Sequence, residues 1–391
     1  MPEMQRDVYD EDHDAFRDMM KEFIKRHVTT EKMQQWDEAG EVDRETMRLA
    51  GEHGVIGLSV PEEFGGAGML TDYRFRSVVN EELVRVGAGS SLAGAVGIQD
   101  DLAVPYIARF GTDAQKQKWL PRMATGEVLG ALGMTEPGAG SDLRAVSTTA
   151  KKVDGGYLVN GAKTFISSGR TADMVVTFVK TGEGNRPDAF SLIIVEDGMA
   201  GFDHSRTLHK MGFQGHDTAE LSFSDVFVPD ENLIGGVEGR GFVQLMENLP
   251  LERLSIGAVA AAVGQAALEW TLEYTANREA FGQPIADFQN TRFRLAEMAT
   301  AVDAMWAFVD RAMRLYERGG LTADEAAKIK FWCTEREWEI LDQGVQLHGG
   351  YGYITEFPIA RAFLDARVHR IYGGTNEVMR EIVARAVTGR K

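Results

Sequence analysis

Val153-Asp154-Gly155-Gly156-Tyr157-Leu158-Val159-Asn160-Gly161 divides this chain into helical and non-helical parts. Asp154-Gly155 and Asn160-Gly161 are both hairpin turn signals, and they flank a short β-prone run, residues 157–159. Residues 174–179, 190–195 and 221–228 continue the pattern, being rich in β-branched and aromatic residues with turn residues between them. A small β domain over residues 129–236 is therefore expected.

On either side the periodicity is helical. Phe16, Met19, Met20, Phe23 and Ile24 recur at three- and four-residue steps and draw one apolar stripe. Thr112 followed by Gln115 forms a capping-box start for a helix carrying Trp119 and Leu120, while the glycine-rich residues 61–68 interrupt the pattern. After Gly239 long helical periods return. Thr322 and Glu325 form a second capping box, and Pro284 and Pro358 stand where helices should begin or stop. Pro250 predicts a kink or a late helix start. The expectation is a mainly α protein with a central β domain: helical residues 1–128, a β-barrel-like domain at 129–236 and a helical bundle at 237–391.

The 391 residues are too many for one ordinary core, and 44% hydrophobic with 26% charged residues suits a folded chain. A net charge of -17 argues against nucleic acid or an anionic membrane as the main partner, so an anionic ligand would have to be gripped locally. Cys333 is the single cysteine, which excludes an internal disulfide and any multi-cysteine metal site. The acidic first 14 residues lack the basic start and apolar run of a secretory signal, and no uninterrupted membrane-length apolar run occurs. A cytoplasmic protein is expected, or equally a mature organellar matrix enzyme that has lost its transit peptide.

Several segments have residues suited to chemistry. Met134-Thr135-Glu136-Pro137-Gly138-Ala139-Gly140-Ser141-Asp142 offers open backbone N–H groups and two hydroxyls to a phosphate or a polar ring edge, and is neither GxGxxG nor a P-loop. Alone it reads more readily as a plain turn. Tyr274, Arg278, Phe281, Gly282, Pro284, Ile285 and Gln289 set an arginine beside an aromatic, a pairing for a diphosphate and a flat ring, or simply a solvated helix end. Residues 346–353 and 371–377 both place glycines beside aromatics. Thr375 is a credible N-cap whose helix would point free N–H groups at an anion. The alternative is a pair of glycine-terminated helix ends packed by tyrosines, with His348 a structural hydrogen-bonder.

Glu252 is the most informative carboxylate. Leu245, Leu249, Ile256 and Val259 lie three, four or seven residues from it, which embeds it in an apolar stripe. Burial there would raise its pKa toward the range of a general base for a weak carbon acid. From pattern alone, pairing with Arg253 or bending to solvent is an equal alternative.

Together, residues 134–142, 165–167, 274–289, 346–353 and 371–380 resemble, in this order, the acyl-CoA dehydrogenase family over essentially the whole chain. The resemblance implies a helical domain, a β domain and a C-terminal four-helix bundle assembled as a homotetramer with one FAD per subunit. By that likeness Leu132, Met134, Thr135, Gly140, Ser141, Phe165, Ile166, Ser167, Thr375 and Glu377 contact FAD. Arg278, Phe281, Gln289, Gln346, Leu347, Gly349 and Gly350 would reach the FAD of a neighbouring subunit. Ser141, Arg253, Tyr372, Gly373 and Gly374 would bind substrate.

Many members carry the catalytic glutamate in a Tyr-Glu-Gly-Thr motif, a position held here by Gly373. Glu252-Arg253 instead resembles the pair of the long-chain and isovaleryl enzymes. Likeness over residues 208–212 and 371–380 favours the long-chain branch. The activity implied by the resemblance is α,β-dehydrogenation of a medium- to long-chain fatty acyl-CoA, with Glu252 as base and an electron-transfer flavoprotein reoxidising the flavin. An oxidase-like enzyme using oxygen and a non-catalytic structural paralogue are the alternatives.

Overall fold

The computed structural model describes residues 6–389; residues 1–5 and 390–391 lie outside it, and with them the first positions of the acidic N-terminal stretch and the extreme ends of the two terminal domains expected above. Helices α1 (Glu11–His27), α2 (Thr30–Ala39), α3 (Arg44–Glu52), α4 (Tyr73–Arg85), α5 (Leu92–Gly97), α6 (Val104–Phe110) and α7 (Asp113–Ala124) make the first part, with one π-helical turn, Ile98–Ala103, joining α5 to α6. The expected stripe on α1 buries Met20, Phe23 and Ile24, with Phe16 and Met19 packed at its edge. Thr112 and Gln115 bond reciprocally at the start of α7, which buries Trp119 and Leu120.

Seven strands follow: β1 (Gly130–Gly133), β2 (Thr149–Val153), β3 (Gly156–Ser167), β4 (Met174–Lys180), β5 (Phe190–Glu196), β6 (Phe202–Thr207) and β7 (Thr218–Pro229). The sheet runs β1-β4-β2-β3-β7-β6 with β5 on the other side of β4, and it curls over its own core instead of closing as a barrel. Asp154-Gly155 turns β2 into β3, with Gly155 at φ +72°. Asn160-Gly161, expected as a second turn, lies inside β3. Gly161 marks a register shift against β7, where a Cβ would meet Thr148 Oγ1 at 2.5 Å. Pairing along the rest of β3 outweighs the local turn preference, so the glycine serves a bulge.

The last part holds α8 (Gly241–Asn277), α9 (Gln289–Glu317), α10 (Ala323–His348), α11 (Pro358–Ala366) and α12 (Asn376–Thr388). Thr322 caps α10 through the expected box, and Pro358 occupies the first turn of α11. Pro284 ends a short hairpin, β8 (Glu279–Ala280) with β9 (Gln283–Pro284), and stands at the start of a one-turn 3-10 helix, Ile285–Asp287, that leads into α9, where a helix start was expected. Pro250 does not delay α8, which runs through it for 37 residues. The missing N–H leaves only the Met246 carbonyl without its helical donor.

By length and composition α8 alone among the described residues could cross a membrane, but 78% of its most apolar window is buried within the protein, where it forms the axis of the bundle. The three parts share cores. Tyr73 and Val84 of α4 pack into the bundle, while α6, α7, β1, β4 and β5 enclose a common core with Leu245 of α8.

Candidate active site

Glu252 lies on α8 and is 4% exposed. Its Oε1 accepts the Tyr106 hydroxyl at 2.8 Å and Asn248 Nδ2 at 3.1 Å. The stripe around it is thus less apolar than the selected steps suggested, because Asn248 and Ser255, four residues before and three after, share the same face. Ser255 Oγ donates to Asp101 Oδ2 (2.7 Å), and Asp101 is paired with the buried Arg76 (3.0 Å). Burial pushes the Glu252 carboxyl above its ordinary range, opposed by hydrogen bonds from Tyr106 and Asn248 and by the Arg253 charge.

Arg253 is 6% exposed, and among the described residues no ion pair joins it to Glu252; its Nε lacks any partner. Burial pulls its pKa down. Residues 371–375 approach α8 at Ile256. Gly373 has φ +65°, and a Cβ built on it would lie 2.4 Å from Cδ1 of Ile256, one turn beyond Glu252. Lys330 Nζ donates to the Gly374 carbonyl (2.9 Å) and to Asn376 Oδ1 (2.9 Å), which fixes this loop to α10. Burial, then the Arg253 charge, pulls Lys330 down to about 7. Thr375 caps α12 as expected, and Tyr372 stacks on His369, itself bonded to Glu337.

On the β side the two segments singled out in sequence adjoin: Thr164 N donates to the Thr135 carbonyl (2.9 Å). Lys163 Nζ reaches the Met134 carbonyl (3.1 Å) and Glu136 Oε1 (2.8 Å), and Glu136 also accepts the backbone N–H groups of Ser147 (2.6 Å) and Thr148 (2.9 Å). The Lys163 charge and these donors overcome burial and hold Glu136 down at about 2. Leu132 and Ile166 are buried, whereas Phe165 is 69% exposed with φ +59°. Gly138 and Gly140 have open space where a side chain would be, and Ser141 is exposed. An outward aromatic, three hydroxyls (Thr135, Ser141, Ser167) and an open glycine turn fit a flat heteroaromatic ring with a phosphate tail. The π-helical turn braces both sides, since Gln99 Oε1 accepts Gly130 N of β1 (2.9 Å) and Asp101 holds Ser255 of α8.

The remaining predicted residues gather elsewhere. Tyr274 stacks on His348 at 4.3 Å, His348 Nδ1 pairs with the Gly344 carbonyl, and Ile285 N donates to the Arg278 carbonyl. His348 is therefore structural. Arg278, Gln289, Gln346, Gly349 and Gly350 are exposed around them with Leu347 half-buried, and Phe281 is 97% exposed. At 1.5 Å per residue, Arg278 lies about 39 Å along α8 from Glu252. Arg278 and its neighbours therefore stand apart from Glu252.

Sequence patterns described as the N-terminal, middle and C-terminal domains of acyl-CoA dehydrogenase match residues 10–127, 131–226 and 239–388. The chain belongs to the acyl-CoA dehydrogenase family. It is 41% identical over 385 residues to the mitochondrial long-chain specific acyl-CoA dehydrogenase of Mus musculus, covering 98% of this chain and 88% of that one. An acyl-CoA dehydrogenase structure from Geobacillus kaustophilus superposes with a TM-score of 0.94 at 41% identity, covering 98% of this chain and all of that one. A glutaryl-CoA dehydrogenase from Mycobacterium smegmatis, solved in complex with FADH2, is 25% identical with a TM-score of 0.89 over 98% and 96% of the two chains. As an acyl-CoA dehydrogenase, the protein is an FAD-dependent oxidoreductase acting on acyl-CoA.

Tyr106, Asn248, Lys330 and the Lys163-Glu136 pair were not singled out in sequence. Asn248 was within reach, being a helical face-mate of Glu252 at four residues. Nothing local to Tyr106 points to a carboxylate 146 residues away.

Proposed function

We propose that this acyl-CoA dehydrogenase oxidises medium- to long-chain fatty acyl-CoA to trans-2-enoyl-CoA, with Glu252 as the base that removes the α-proton. The observation that carries this is the buried Glu252 carboxylate, raised by desolvation, one helical turn from Ile256, the residue that meets Gly373. When bound, FAD supplies the acceptor for the β-hydride.

The chain's own groups do the rest. Glu252 holds the abstracted proton; Gly373 N–H stabilises charge developing on the thioester carbonyl; Ser141, Arg253, Tyr372 and Gly374 position the substrate. Met134, Thr135, Ser141 and residues 165–167, with Leu132, Gly140, Thr375 and Glu377, hold FAD. The 39 Å or so between Glu252 and Arg278 supports assigning Arg278, Phe281, Gln289, Gln346, Leu347, Gly349 and Gly350 to a neighbouring copy's FAD, and with it a homotetramer. The family likeness supports an electron-transfer flavoprotein as acceptor and a division into residues 1–128, 129–236 and 237–391.

Anaerobic bleaching of the bound flavin by a panel of acyl-CoAs of graded length tests this directly. Bleaching is expected to be fastest with medium to long chains. FAD-replete protein that no acyl-CoA bleaches, or that responds only to short chains, overturns the assignment.

A further inference from the structure

Both hydrogen-bond donors to Glu252 fall on the same oxygen. Tyr106 OH and Asn248 Nδ2 meet Oε1, while Oε2 has no hydrogen bond among the described residues. Two polar atoms nearby, Asn248 Oδ1 and Arg253 Nε, are sealed from solvent without a partner; Oε2 is not sealed in this way. The Asn248 amide therefore leaves its own oxygen unpaired in order to turn its N–H group toward the carboxylate. The flipped amide would set two acceptors against each other.

We propose that Tyr106 and Asn248 are positioning residues that anchor Oε1 of Glu252 and leave Oε2 as the oxygen that takes the substrate's α-proton. This rests on Glu252 being the base. As the α C–H bond breaks and an O–H bond forms at Oε2, Glu252 becomes neutral and Oε1 becomes its carbonyl oxygen. That oxygen still accepts from both donors, so neither is orphaned in either protonation state. Capture at Oε1 would instead weaken both bonds at once.

Tyr106 is fully buried, and burial followed by the Glu252 charge pushes its phenol well above the ordinary value, so it remains a donor throughout the working range. The charged groups facing Glu252 are Arg253 on its own helix and Asp101 on the π-helical turn; Arg109 lies beyond Tyr106, and Lys330 of α10 beyond Arg253. All stay in place when Tyr106 loses only its hydroxyl.

The test is the pH profile of anaerobic flavin bleaching in FAD-loaded wild type, Tyr106→Phe, Asn248→Leu and Glu252→Gln. Each donor steadies the ionised form, so removing either should move the acid limb upward by about 1 pH unit while FAD content is kept. The same shift should be read without turnover, from the pH titration of the carboxyl infrared band that Glu252→Gln removes. A purely structural role would lower thermal stability and leave both readouts where they are. If Tyr106→Phe does not retain FAD, Asn248→Leu carries the test. An unmoved limb and band, with Glu252→Gln inactive, overturns the positioning role alone. Normal bleaching by Glu252→Gln overturns the base assignment and this proposal with it.

Discussion

Ile256 fills the space that a side chain at Gly373 would need: a Cβ there would come within 2.4 Å of Ile256 Cδ1. The two residues lie 117 positions apart in sequence yet meet one helical turn from Glu252. The glycine is required twice over, by its φ of +65° and by that contact.

Gly373→Ala is therefore expected to cost about 1–3 kcal/mol, part backbone strain and part overpacking. Ile256→Val, which removes Cδ1, should recover only the packing part. Urea denaturation of the two single variants and the double variant measures this, with a favourable coupling of about 0.5–1 kcal/mol expected. Strict additivity would show that the contact carries no strain.

Glu252→Gln should lower the bleaching rate by at least about 10³-fold while retaining FAD. It should also stabilise the protein. The folded pKa of Glu252 is raised above the ordinary 4.5, so between 4.5 and the folded value the native state binds more protons than the unfolded one. Stability then falls as pH rises through that window, and Gln escapes the loss while keeping an acceptor for Tyr106 and Asn248. Thermal melts of both proteins from pH 4 to 8 should diverge in favour of the variant, and parallel curves would contradict the raised pKa.

Lys163→Met should destabilise the protein by about 3–5 kcal/mol, because it leaves Glu136 buried and unpaired. The Met134 carbonyl loses its donor as well, so flavin retention should fall. On the acid side, Glu136 at about 2 sits below the ordinary 4.5, and the unfolded state binds the extra proton between those values. Its contribution is present above pH 4.5 and is lost as pH falls toward 2. Equilibrium denaturation over pH 2–7 of wild type and Glu136→Gln checks the window: only wild type should show this loss.

Phe281 is nearly fully exposed at a positive φ of 53°, at the far end of α8. The homotetramer proposed above would cover that surface. Phe281→Asp should therefore shift the protein toward smaller species in sedimentation and lower its FAD content together. A monodisperse monomer in wild type that holds FAD fully would remove the assembly from the account.

Much of this was legible from local pattern. The stripe on α1, the boxes at Thr112 and Thr322, the turn at Asp154-Gly155 and the cap at Thr375 depend on neighbours within a few residues, and the structure has them. Where local signals failed, longer contacts won. Asn160-Gly161 became a bulge because β3 is held on both edges.

The order of helical, β and helical parts, and the presence of a carboxylate at position 252 on a long apolar helix, were determined by the sequence itself, because periodicity and propensity act over a few residues. Only the tertiary structure decided that Tyr106 reaches Glu252, that Lys163 pairs with Glu136, and that α8 runs unbroken from Glu252 to Arg278, some 39 Å along its length. The reason is physical: a side chain's hydrogen-bond partner across 146 residues is set by how whole elements pack, and a long helix carries its two ends apart whatever chemistry they share.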